Sequence, residues 1–213
     1  MYKDEKYFVK SFEEDFILKT LKGKKKINFQ SIINILKNKI INPNTKSFEK
    51  ESRLACTFLH KNYLKTYRSN GLIFQTSEKP FEVFPFDLAL LTTSDKIVVQ
   101  YYRIKNNLYE YYGRKLIKGF EKFKFNSPED MFNKISSPEE AWKEVNFFRR
   151  QAGYKELSKS KYKLIQYNEV IFNKPIKIKP VAIFGYNKLS RDIARKYGLP
   201  HFTSAEKFYE HLE

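Results

Sequence analysis

Three oxygen-bearing side chains stand where apolar ones would be expected. Asp87 follows Pro85-Phe86 in the run FEVFPFDLALL, and Gln100 sits inside KIVVQYYRI. Glu51 falls in the middle of the apolar arc that Phe48, Leu54, Ala55, Phe58 and Leu59 make when 48–67 is wound as a helix. A carboxylate buried there is costly unless it meets a hydrogen bond, a proton or a cation. Two carboxylates and an amide carbonyl, with waters, suit Mg²⁺ or Mn²⁺. Such an ion lowers the pKa of a bound water and neutralises charge developing on a phosphodiester.

The elements that would bring these residues together follow from local pattern. The polar TTSD, Thr92 to Asp95, reads as a four-residue hairpin loop between two strands. A symmetric hairpin then sets Leu91 opposite Lys96 and, counting outward, Asp87 opposite Gln100. Residues so opposed have Cβ atoms roughly 4.5–5.5 Å apart. The alternative leaves Asp87 capping a strand end or turn, Gln100 bonded across the ladder, and Glu51 paired with a lysine.

The rest of the chain is read by period and punctuation. Phe8, Phe12 and Phe16 recur every four residues, and Ile32, Ile35, Leu36 and Ile40 form a second stripe ended by Pro43. The basic joint KGKKK lies between them, so 1–45 is expected as an N-terminal helical extension. Ser47 would cap the helix over 48–67 and open the main domain, 46–213. Strands are predicted at GLIFQTS, FEVFPFDLALL, KIVVQYYRI, KYKLIQYNEVIF and PVAIFGY. A helix should start at Ser137-Pro138, with Glu140 closing a capping box, and stop at Gly153. Two short helices follow, one capped by Ser190 and ended by Gly198, the other opened by Thr203 and Glu206. Residues 106–136 carry both helix and strand signals. The fold class is α/β, a central mixed sheet flanked by helices.

Charge is the strongest global property. Lys and Arg number 41 against 24 Asp and Glu, a net of +17 in 213 residues. Such an excess favours a polyanionic partner, and nucleic acid fits best. A composition biased toward Lys, Asn, Ile, Phe and Tyr would raise lysine, but it would raise glutamate as well. The basic residues are spread along the chain and form no lone basic amphipathic helix, which argues against a membrane surface. No apolar run is long enough to cross a bilayer, and the charged beginning MYKDEKYFVKSFEED is unlike a secretory signal. The single cysteine, Cys56, allows no internal disulfide and fits a reducing, cytoplasmic setting, a host cytoplasm if the source is viral. Scattered His60, His201 and His211 do not suggest zinc. Gly185 alone makes no phosphate loop.

A helix bearing glutamate, a Pro–Asp strand, and a hairpin to a strand carrying Glu-x-Lys together resemble the PD-(D/E)XK nuclease superfamily. Here the elements are Glu51, then Pro85-Phe86-Asp87 with one inserted residue, then Gln100 where the second acid usually stands. The end of the chain, from PVAIFGY onward, is similar to the closing strand–helix pattern of that superfamily. The likeness covers roughly 47–213 and is closest in layout to archaeal Holliday-junction resolvases. Size and composition are also similar to nuclease-like proteins of archaeal spindle-shaped viruses. It implies a restriction-endonuclease-like fold and a Mg²⁺- or Mn²⁺-dependent endonuclease acting on duplex or branched DNA. Glu51, Asp87 and Gln100 would hold the metal. Where the family places lysine this chain has Tyr102. Arg103 points to the opposite face unless a bulge turns it, and Lys96, Lys115 and Lys118 are other sources of a cation. Glu82 is an alternate ligand of the wrong strand parity. The missing lysine favours the alternative of a non-catalytic DNA-binding protein on a nuclease-like fold. A homodimer joined through the N-terminal helices is compatible with either.

Overall fold

A computed structural model describes residues 5–12, 32–43, 54–92 and 116–213. Its centre is a seven-stranded mixed sheet in the order β5-β6-β3-β1-β4-β8-β9. The strands are β1 (Phe8–Phe12), β3 (Leu54–Phe58), β4 (Asn70–Gln75), β5 (Glu82–Phe84), β6 (Glu169–Phe172), β8 (Lys179–Phe184) and β9 (His201–Phe202). Neighbours run antiparallel except β8 and β9, which are parallel. A separate pair joins β2 (Ile40–Ile41) to β7 (Ile176–Lys177). The helices are α1 (Ile32–Asn38), α2 (Pro128–Lys134), α3 (Pro138–Gln151), α4 (Lys188–Lys196) and α5 (Ala205–Leu212).

Alternation of side chains along a strand builds a core on each face. Phe8, Phe12, Cys56, Phe58, Leu72 and Phe74 join the larger cluster, to which α1 adds Ile32, Ile35 and Leu36. Tyr7, Val9, Ile73, Ala182 and Phe184 face the other way and meet Ala205 and Phe208 of α5.

Two expected helices are strands. Residues four apart share a face in a helix, but they also share one in a strand, so Phe8 and Phe12 fit both periods. Pairing decides it: β1 lies between β3 and β4 inside the sheet, so 8–12 are built into the main fold rather than an extension. Residues 54–58, expected in the helix from Ser47, are β3. Leu54, Cys56 and Phe58 point into one core and Leu59 into the other. The helix that set Glu51 on an apolar arc is therefore absent over 54–58, and Glu51 itself lies outside the described residues.

Punctuation succeeds in the last third. Ser137 Oγ accepts from Glu140 N at 3.2 Å, capping α3 with Pro138 in its first turn. The Glu140 carboxylate reaches back to Ser136 N at 2.8 Å, one residue before the cap. Gly153 and Gly198, both at positive φ, follow α3 and α4. The caps of the last two helices are Asn187 and Ser204 rather than Ser190 and Thr203.

Candidate functional site around Asp87

Strand β5 ends at Phe84, and after Pro85-Phe86 the chain turns into a 3₁₀ helix, Leu88–Leu91, with Asp87 as its N-cap. Asp87 Oδ1 accepts from Ala89 N at 2.8 Å. Its own N–H donates to Leu164 O at 3.1 Å. Glu169, at the start of β6, accepts the preceding N–H, that of Leu88, at 2.9 Å. Two neighbouring carboxylates thus satisfy consecutive backbone donors that a helix start leaves unpaired.

The second oxygen of Asp87 accepts from the Tyr167 hydroxyl at 2.7 Å. Tyr167 is buried, and its hydroxyl pKa is pushed far up, first by burial, then by the Asp87 charge and hydrogen bond. Its ring meets the half-exposed Tyr67 edge-on at 5.7 Å, and the Arg68 guanidinium lies 4.4 Å from the Tyr67 ring centre. Between Tyr167 and Glu169, buried Asn168 clamps Phe58 through both its N–H and C=O, each at 2.8 Å, fixing the β6 start against β3. Lys10 of β1 is half-buried and donates to Ala55 O at 3.0 Å. Burial lowers its pKa, while Cys56 and Glu169 oppose that shift.

This geometry replaces the expected hairpin. Residues 88–91 are not a strand, so the count that set Asp87 opposite Gln100 does not apply. Leu91 O accepts from Ile117 N at 2.8 Å and Thr92 bridges to Leu116, where a tight turn would have paired Leu91 with Lys96. Arg149, fully buried in α3, holds this junction. It donates to Leu90 O at 3.1 Å, Thr92 O at 2.7 Å and Lys155 O at 2.9 Å.

Of the expected site residues, Asp87 is described; Glu51, Gln100, Tyr102 and Arg103 lie outside the described residues. Lys118 is exposed. Glu82 is buried and forms an ion pair with Lys124 at 2.8 Å, which accounts for it without a metal. Among the described residues no three His, Cys, Asp or Glu side chains gather as metal ligands. Both Asp87 oxygens and one of Glu169 already accept hydrogen bonds. Within the described residues Asp87 acts as a cap, and the expected ligands Glu51 and Gln100 lie outside them.

Tyr167, Glu169, Lys10 and Arg149 escaped notice in the sequence. QYNEV, 166–170, did carry a signal of the same kind as Asp87, polar groups inside a strand-like run. The other two did not, since lysine and arginine in so basic a chain draw no attention.

No family model, curated protein or solved structure matches the chain. Among the described residues no helix is long and apolar enough to cross a membrane.

Proposed function

We propose that the protein binds nucleic acid without chemistry at Asp87. The net charge of +17 carries this proposal, because it favours a polyanion regardless of sequence. Exposed aromatics beside cations support it. Among the described residues the exposed large apolar side chains are Tyr67, Phe81, Phe147 and Tyr186. Arg68 lies 4.4 Å from the first ring centre, Lys124 5.4 Å from the second and Arg150 5.8 Å from the third. Tyr186 stands two residues from exposed Lys188. Aromatic faces flanked by cations suit bases and phosphates together. The test is binding of labelled DNA and RNA with a chelator present. Retention of tight binding supports the proposal, and absence of binding at low salt refutes it.

The second reading is a metal-dependent endonuclease on a restriction-endonuclease-like fold, acting on duplex or branched DNA. Two carboxylates, Asp87 and Glu169, accepting from the consecutive N–H groups of Ala89 and Leu88 favour it, with Glu51 and Gln100 as the remaining expected ligands. Cleavage of duplex, four-way-junction and single-stranded DNA with Mg²⁺ or Mn²⁺ tests it. Cleavage abolished by Asp87→Asn, in a variant that still binds DNA, would replace the non-catalytic proposal with this one.

A further inference from the structure

Helix α4 turns Ser190, Ile193 and Ala194 into the fold. At 100° per residue, Lys188, Arg191 and Arg195 lie on the opposite side, within about two turns, or roughly 10 Å, and all three are exposed. The acid on this side is Asp192, which is paired with Arg195 at 2.7 Å. Lys188 and Arg191 are therefore not offset by it. Tyr186, at the foot of this face, is 73% exposed, the most exposed of the large apolar side chains described. No ring of the described residues stacks on it. Lys207 of α5 is paired with Glu210 at 2.6 Å.

A face of this kind presents cations along a line and one uncovered ring at its end. Phosphates suit the cations. The uncovered ring suits a base whose own face is free, as in a single strand; in a duplex the base faces are already stacked. We infer that the outward face of α4, with Tyr186, docks single-stranded nucleic acid. The backbone follows Lys188, Arg191 and Arg195, and a base stacks on Tyr186. This deepens the nucleic-acid function proposed above and rests on it.

The experiment uses the full chain and labelled single-stranded and duplex DNA of equal length, with binding followed by fluorescence anisotropy over a range of salt. Tyr186→Ala should weaken single-strand binding roughly 5- to 150-fold at fixed salt and leave duplex binding unchanged. Lys188→Ala with Arg191→Ala should make the slope of log K against log salt shallower by about 1.4 on single strands, about 0.7 for each phosphate that is no longer neutralised. These side chains are exposed, and unchanged thermal melting of each variant confirms an intact fold. If the wild type binds and both variants bind single strands as it does, the docking face is wrong while nucleic-acid binding stands. Equal losses on duplex and single strand overturn the single-strand assignment. Absence of wild-type binding to either overturns both the face and the function.

Discussion

Replacing Asp87 by alanine separates a structural cap from a metal ligand. The cap removes one unpaired donor at the start of the 3₁₀ turn, Ala89 N at 2.8 Å. Losing an N-cap costs about 0.5–2 kcal/mol. The second effect falls on Tyr167, whose buried hydroxyl loses its acceptor at 2.7 Å. Leaving such a group unpaired costs about 1–3 kcal/mol. Together Asp87→Ala should destabilise the fold by about 2–5 kcal/mol. At about 2–4 °C per kcal/mol for a chain of this size, the melting temperature should fall by roughly 4–20 °C. Tyr167→Phe removes the hydroxyl, so Asp87→Ala in that background should cost about 1–3 kcal/mol less than in the wild type. Urea denaturation of the wild type, both single variants and the double variant measures each step. A stabilising Asp87→Ala would refute the reasoning, because relief of crowded charge is what removal of a strained functional carboxylate gives. An identical cost in both backgrounds would refute the Tyr167 bond.

Further outcomes follow from other buried groups. Arg149→Met removes the cation from the carbonyls of Leu90, Thr92 and Lys155. It should cost about 3–5 kcal/mol, read as a lower urea midpoint with an unchanged slope. At Gly185, φ is +151° and an added Cβ would collide with the Asn70 Oδ1 and sit 3.0 Å from Ser190 Oγ. Gly185→Ala should therefore cost about 2–4 kcal/mol, and a melting temperature equal to that of the wild type would contradict that packing. Stability should also depend on pH at both ends. Burial holds the His60 and His201 pKa values below the ordinary 6.5, so their contribution is full above 6.5 and is lost as pH falls below it. Burial raises Cys56 to about 12 and pushes the hydroxyls of Tyr63 and Tyr167 upward. Their contribution is full below the unfolded values near 9 and 10 and is lost as pH rises beyond them. Melting temperatures across that range check both signs.

The parts of the fold that could be read from sequence are those with local causes. Ser137-Pro138 and Gly153 bracket α3 because a cap and a positive-φ glycine act through neighbouring residues. Runs such as GLIFQ and PVAIF became β4 and β8 because apolar β-formers buried on two sides have few other homes. Phe8–Phe12 and Leu54–Phe58 were misread because their spacing satisfies two periods, and only pairing with residues far along the chain selects the strand. The hairpin register assumed for the candidate site fell for a related reason. Its geometry was counted out from an assumed turn, so the 3₁₀ helix at 88–91 removed the register on which the Asp87–Gln100 pairing depended. Tyr167, which donates to Asp87, and Glu169, which accepts from Leu88 N, come from β6 and the residues before it, long-range contacts that no local pattern encodes.

The salt dependence of DNA binding by the intact protein, measured with a chelator present, tests the central claim most directly. Binding through surplus cations predicts a straight fall of log K with log salt. The loss should be about 10³- to 10⁵-fold between roughly 50 and 200 mM if six to ten phosphates are engaged. Binding that is flat across that range, or no binding at its low end, would contradict a nucleic-acid function built on the charge of this chain.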